Sequence, residues 1–171
     1  TKNADLIAQG AEAQYIVTKP FFDAFVHMGG SGATLALIAA IFTAGKRKDY
    51  KATAGLATGP GLFNINEPMI YGLPIALNPI FIIPFLFGPV ILAVISYLAT
   101  ASGLVPYTQA IIPWTTPPII GGFLATGGSV SGALLSAFNL VVAYLLYLPF
   151  INISREVEEE MEEVEEEGIE A

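Results

Sequence analysis

Residues 79–99 read PIFIIPFLFGPVILAVISYLA, an unbroken apolar run without one charged side chain. A hydrocarbon layer of about 30 Å asks for about 20 such residues of a helix, because each adds about 1.5 Å of rise. The run therefore predicts a membrane-spanning helix over about 79–99. Pro84 and Pro89 would break a helix in water, but within a bundle neighbouring helices re-satisfy the carbonyls that proline frees, so one kinked span is expected rather than two pieces. A second span is expected over about 131–150, SGALLSAFNLVVAYLLYLPF, with Tyr144 and Tyr147 toward one end, where aromatic rings favour the headgroup level. Neither run is a secretory signal, since both lie far from the N-terminus and lack a small-residue cleavage pattern.

Composition agrees. Of 171 residues, 54% are hydrophobic and only 13% charged, about half the charged fraction of a soluble globule. The net charge of −8 is misleading until it is located. Residues 155–171 hold ten Glu and one Arg, whereas residues 1–154 hold six Lys or Arg against five Asp or Glu, so the body is +1 and the tail −9. The tail alternates glutamates with Val157, Met161 and Val164 at helical spacing, but like charges at i,i+4 oppose a helix, and a disordered, solvated tail over 154–171 is expected. Its sign argues against nucleic acid and against an anionic leaflet. With no cysteine and one histidine, a zinc site and a nucleophilic dyad are both excluded. No metal or cofactor is called for.

Between and before the spans the hydrophobicity is broken. Residues 33–44 are apolar but short and follow Gly29-Gly30-Ser31-Gly32; residues 53–78 are interrupted by Gly59-Pro60-Gly61 and by Asn64, Asn66, Glu67 and Pro68; residues 103–128 carry PWTTPPIIGG. Such Gly/Pro-broken segments are the mark of re-entrant hairpins, since non-helical backbone survives at membrane depth only where it lines protein or a watery cavity. The expected organisation is a lead-in helix or loop over 1–20, a membrane domain over 21–153 with re-entrant segments at about 53–78 and 103–128, and the acidic tail. Four of the seven basic residues fall in Lys46–Lys51, which the positive-inside rule puts in the cytoplasm. Alternating crossings then return the tail to the same side.

Glu67 is the one acidic residue between Asp49 and Glu156. A carboxylate in an uncharged membrane-level stretch costs a few kcal/mol (about 3 on insertion scales) and is by default a functional candidate. Asn64 and Asn66 beside it offer amide donors and acceptors, and Pro68 is expected to hold Glu67 out of the helical region. Such a set suits polyol recognition; the alternative is that Glu67 merely closes a hairpin. Trp114, the single tryptophan, lies in Pro113-Trp114-Thr115-Thr116-Pro117-Pro118, which is either a rigid platform for a sugar ring with Thr115 nearby or an interfacial anchor. His27 precedes the glycine-rich turn and is either a further candidate sugar ligand or, as a lone histidine on an apolar segment more often is, a hydrogen-bonded packing residue. That turn could present N–H groups to an anion, but it lacks the Gly-Lys-Ser/Thr ending of a nucleotide loop, and close packing through small residues is the stronger expectation.

Three stretches taken together, FFDAFVHMGGSGATLAL (21–37), GPGLFNINEPMIYGLPIALNPIFIIPF (59–85) and IIPWTTPPIIGGFLATGG (111–128), resemble the C-terminal part of the enzyme IIC sugar permease of the bacterial phosphotransferase system, in its lactose/cellobiose (chitobiose) family. The resemblance covers most of residues 15–153. It implies an all-α membrane protein whose transmembrane helices and two re-entrant hairpins form the transport-domain half of a IIC permease, multi-pass in the bacterial plasma membrane and homodimeric in the full-length parent. It assigns Glu67 the catalytic role near the hydroxyl that is phosphorylated, and Trp114 a place in the sugar site. No role carries onto His27, since the family's site histidine is expected upstream of this chain. The substrate implied is a disaccharide of the cellobiose, chitobiose or lactose type. The phosphoryl group would come from a phosphocysteine on a separate IIB protein, itself charged by IIA, so this component would be non-phosphorylated. Thr1 begins mid-pattern, and the expectation is a fragment lacking the half that supplies the dimer interface. Two alternatives stand beside the leading one: an ion-coupled sugar permease in which Glu67 titrates, and an inactive truncated remnant.

Overall fold

The computed structural model describes residues 1–170, with the side chains of residues 76, 155 and 158–170 outside the description. Among the described residues every regular element is helical: α1 (Lys2–Ala8), α2 (Lys19–Phe25), α3 (Thr34–Ala44), α4 (Lys48–Leu62), α5 (Glu67–Gly72), α6 (Pro79–Ala101), α7 (Ile120–Ala125) and α8 (Val130–Glu170), with single 3-10 turns at Ser31–Ala33 and Ile75–Leu77.

Both predicted spans fall on helices long and apolar enough to cross a membrane, α6 over Pro79–Ala101 and the Val130–Ser154 portion of α8. Asn78 caps α6, its side-chain oxygen accepting from Ile80 N at 2.9 Å and Phe81 N at 3.4 Å, and Pro79 occupies the first turn, where its missing N–H costs nothing. Pro84 and Pro89 lie inside one continuous helix. Along α6 the buried residues are Phe81, Pro84, Gly88, Leu92, Ser96 and Thr100, a stripe at three- and four-residue spacing. Its outer face carries Leu86, Phe87, Val90, Val94 and Leu98, all more than half exposed. α8 likewise turns Leu134, Phe138, Val141 and Leu145 outward. A helix in water would place polar groups there, so an apolar exterior around a partly polar interior is the signature of a bundle solvated by lipid.

α6 and α8 run antiparallel. Asn139 Nδ2, early in α8, donates to Ser96 Oγ, late in α6, at 2.7 Å, and Tyr147 and Phe85 both reach Gly32, one by a hydrogen bond and one by close packing. Short α2 lies across them, and its last carbonyls, which a helix end leaves without partners, accept from α8 side chains: Ser136 Oγ to Ala24 O at 3.0 Å and Asn139 Nδ2 to Phe25 O at 2.9 Å. α7 crosses α8 through Gly122 and Gly132; a Cβ on either would stand within 2.5 Å of the other's carbonyl oxygen, so only glycine permits this approach.

Tyr50, at the basic loop, meets Phe81 edge-on at 5.9 Å, and Thr43, just before that loop, pairs its hydroxyl with that of Tyr144 on α8 at 3.0 Å. The loop at residues 46–51, the start of α6 and the exit of α8 thus share one end of the bundle.

Three local expectations are corrected. Gly59-Pro60-Gly61 does not interrupt the chain: Pro60 lies inside α4, which ends only at Leu62. Glu67 is not held extended but opens α5, with Pro68 in the first turn, a position where proline is compatible with helix. After residue 154, where disorder was expected, the backbone continues α8 to Glu170. Glu is a good helix former, and a helix already nucleated by the span propagates without the unfavourable first turn.

Candidate functional site

Two hairpins meet at their tips. In the first, α4 runs up to Leu62 and α5 returns from Glu67, with a tight turn held by Phe63 N and Ile65 N donating to Pro60 O at 2.9 and 3.0 Å. Asn64 at its apex takes φ +62°, a left-handed conformation that asparagine tolerates better than most residues. In the second, Gln109 N and Ala110 N return to Ala125 O at 2.8 and 3.1 Å, so the chain goes out and back around the Pro113–Pro118 tip. That tip has no regular helix, as its prolines require. Asn64 Nδ2 joins the two, donating to Trp114 O at 2.8 Å and Thr116 O at 2.9 Å.

The glycine-rich turn after α2 forms the third wall. Gly29 N donates to Asn64 Oδ1 at 2.7 Å, and Asn66 Nδ2 donates to Ser31 O at 2.8 Å and Ser31 Oγ at 2.9 Å. Gly30, at φ +95°, passes so close that a Cβ would stand 2.6 Å from Asn66 Cγ. Three of the turn's amides are engaged with protein partners: besides Gly29, Gly30 N donates to His27 O and Ala33 N to Gly30 O. The close packing expected of these small residues is present, at Gly30 against Asn66 and at Gly32 against Phe85.

These three walls enclose a cleft of about 210 Å³ lined by Asn64, Asn66, Glu67, Trp114 and His27 together with Asp23, Gly30 and Ser31. Five of the six sequence-predicted residues therefore converge. Thr115 does not line the cleft; the tip turn, closed by Thr116 N and Thr116 Oγ1 donating to Pro113 O at 3.0 and 2.7 Å, points Trp114 inward instead. Asn64 and Asn66 are buried and occupied by the hydrogen bonds above, so they build the walls, whereas Glu67 is exposed to the cleft. Among the described residues its carboxylate has no hydrogen-bond or ion-pair partner, leaving all its lone pairs available to a ligand. Trp114 is half-exposed and offers an indole face. The cleft is polar without being charged throughout, and it combines an acceptor with an aromatic surface, as binding of a polyol ring requires.

His27 stacks on Phe22, with ring centroids 5.8 Å apart and planes 25° from parallel. Burial lowers its pKa below the usual histidine value, Asp23 acts in the opposite direction, and Lys19 adds to the lowering. Asp23, Gly30 and Ser31 were missed by sequence reasoning. Asp23 carried one available signal: it precedes His27 by four residues, one helical turn, in an otherwise apolar segment. A second and larger groove, about 420 Å³, runs between α2 and α6 beside Phe21, Val26, Val90 and Val94, but it offers almost no polar surface and so no means to recognise a sugar.

Gly32, beside the cleft, packs on Phe85, which lies six residues into α6 and therefore about 9 Å from its start. The cleft therefore sits part-way into the bundle.

The chain is similar to known proteins over most of its length. It is 46% identical over 145 residues to the lichenan permease IIC component of Bacillus subtilis (strain 168), covering 84% of this chain and 32% of that protein. It is 42% identical over 164 residues to the cellobiose-specific EIIC component of the phosphotransferase system of Lactococcus lactis subsp. lactis (strain IL1403), covering 91% of this chain and 33% of that protein. Its fold matches the crystal structure of the transporter ChbC, the IIC component from the N,N'-diacetylchitobiose-specific phosphotransferase system, with a TM-score of 0.86 at 39% identity, over 93% of this chain and 38% of that one. The chain thus spans about a third of the length of the relatives it matches. The family model described as "Phosphotransferase system, EIIC" matches residues 1–89, more than half of the sequence, and the chain belongs to that family.

Proposed function

We propose that this chain forms the sugar-binding transport portion of a phosphotransferase system permease, and that its cleft receives a disaccharide for phosphorylation by a separate IIB protein. The observation that carries this reading is the meeting of two hairpin tips and a glycine turn around an indole, Trp114, and a carboxylate, Glu67, that has no partner among the described residues. The names of the relatives, cellobiose-specific and N,N'-diacetylchitobiose-specific, support a β-linked disaccharide as cargo.

In this reading the indole stacks on the apolar face of a sugar ring and the Glu67 carboxylate accepts the hydrogen bond of the hydroxyl that reacts. The hydroxyl oxygen attacks the phosphorus of the IIB phosphocysteine, its proton passes to Glu67, and the cysteine leaves as thiolate. General-base help of this kind contributes about 10²- to 10⁴-fold. The basic loop at 46–51 faces the cytoplasm, and the acidic tail shares that face because both lie at one end of the bundle. The IIB partner approaches from there, IIA supplies IIB, and the full-length permease works as a homodimer in the plasma membrane.

The test is Glu67→Gln in the full-length permease, assayed in membrane vesicles with its IIB partner. Phosphorylation of cellobiose or N,N'-diacetylchitobiose should fall at least about 100-fold while sugar affinity changes far less. Unchanged vectorial phosphorylation would refute the base role; uptake of unmodified sugar, abolished by an uncoupler and independent of IIB, would select an ion-coupled permease.

A further inference from the structure

The cleft contains a second carboxylate whose burial the fold alone does not justify. Asp23 stands on the last turn of α2, its side chain only 11% exposed, and it pairs with Lys19, one turn earlier and 65% exposed. An i,i+4 pair with one solvent-facing partner stabilises a helix by only about 0.5 kcal/mol or less, too little to offset taking a carboxylate out of water. Among the described residues Lys19 is its one hydrogen-bond and ion-pair partner, and His27 lies near enough to feel its charge. A carboxylate offers about four lone-pair sites, more than Lys19 alone can fill, and Asp23 lines the cleft together with Glu67, His27 and Trp114.

The two acids differ in a way that divides their work. Glu67 is exposed and, among the described residues, without a partner, placed to take a proton. Asp23 is fixed in orientation by an ammonium and sits on a different element, α2, whose end is itself anchored to α8 through Ser136 and Asn139. An oriented, rigidly mounted carboxylate is a hydrogen-bond acceptor for hydroxyl donors, and such bonds to charged groups are the strong ones.

We infer that Asp23, held by Lys19, is a second sugar-binding carboxylate that sets affinity for the hydroxyls of the bound disaccharide and takes no part in phosphoryl transfer. This rests on the reading of the cleft as a sugar site.

The experiment compares Asp23→Asn, Lys19→Gln and Glu67→Gln in the full-length permease, measuring equilibrium binding of radiolabelled cellobiose or N,N'-diacetylchitobiose and the KM and kcat of IIB-dependent phosphorylation. Asp23→Asn should weaken binding and raise KM about 10- to 100-fold with kcat nearly unchanged, and Lys19→Gln should raise KM by a smaller factor. Glu67→Gln should show the opposite split. An unchanged dissociation constant in folded Asp23→Asn, or a fall in its kcat at unchanged KM, overturns the inference. If Asp23→Asn does not accumulate in the membrane, Lys19→Gln decides, and normal affinity in that variant overturns it. If Glu67→Gln is also silent in both assays, it is the sugar-site reading that fails; if Glu67→Gln loses phosphorylation while Asp23→Asn is silent, only the present inference fails.

Discussion

The side-chain amide of Asn64 donates a 2.8 Å hydrogen bond to the main-chain carbonyl of Trp114, fifty residues away. With the second bond to Thr116 O and the one accepted from Gly29 N, one side chain ties together three segments that are remote in sequence. The position of the indole relative to Glu67 therefore depends on a residue that need not touch the sugar.

Replacing Asn64 with Gly keeps the φ +62° conformation accessible but removes all three bonds and leaves buried partners unsatisfied. A loss of about 1–3 kcal/mol per orphaned group is the expected range, read as a lower melting temperature in detergent. Sugar affinity should fall with it. Asn64→Asp should be as damaging, because it replaces the donor to two carbonyls with an acceptor.

Gly30→Ala should close the cleft from behind. The added Cβ would meet Asn66 Cγ at 2.6 Å and Asn64 O at 2.9 Å in a φ +95° backbone, which other residues adopt only under strain. The expected result is a protein that still inserts into the membrane but binds sugar at least about tenfold more weakly, for a strain of about 1–3 kcal/mol. Normal binding would show that the turn moves freely.

Tyr147→Phe tests how firmly the glycine turn is held to α8. The buried hydroxyl donates to Gly32 O at 2.6 Å. Interhelical hydrogen bonds in membranes contribute about 0.6 kcal/mol on average and up to about 1.7, so a small loss of thermal stability is expected with little change in insertion. A loss several times larger would mean that Tyr147 organises the turn rather than merely anchoring it.

Reporter tags placed after Lys51 and after Ala171 in the full-length permease should be found on the same face of the membrane. Tyr50 and Phe81 touch at that end, and Ile151 belongs to the same core cluster. Tags on opposite faces would contradict the antiparallel arrangement of α6 and α8 as spans.

The spans were legible because length and apolarity are local properties: residues 79–99 and 131–150 announce themselves without any partner, and α6 and α8 cover them. Glu67, Asn66 and Trp114 were legible for a related reason, since a carboxylate, paired amides and a proline-framed indole are conspicuous against an apolar background. Asp23 and Ser31 were not. One looks like an ordinary helix acid beside Lys19 and the other like a linker residue, and Thr115 looked as good a ligand as its neighbour until the tip turned it away. What the sequence alone determined was which segments dissolve in lipid and which residues are too polar to be there without a reason. Only the tertiary structure decided that two hairpin tips and a glycine turn share one cleft. The hydrogen bonds of Asn64 and Asn66 that join them link residues 35 to 52 positions apart, and a contact of that range leaves no periodicity or spacing in the chain to read.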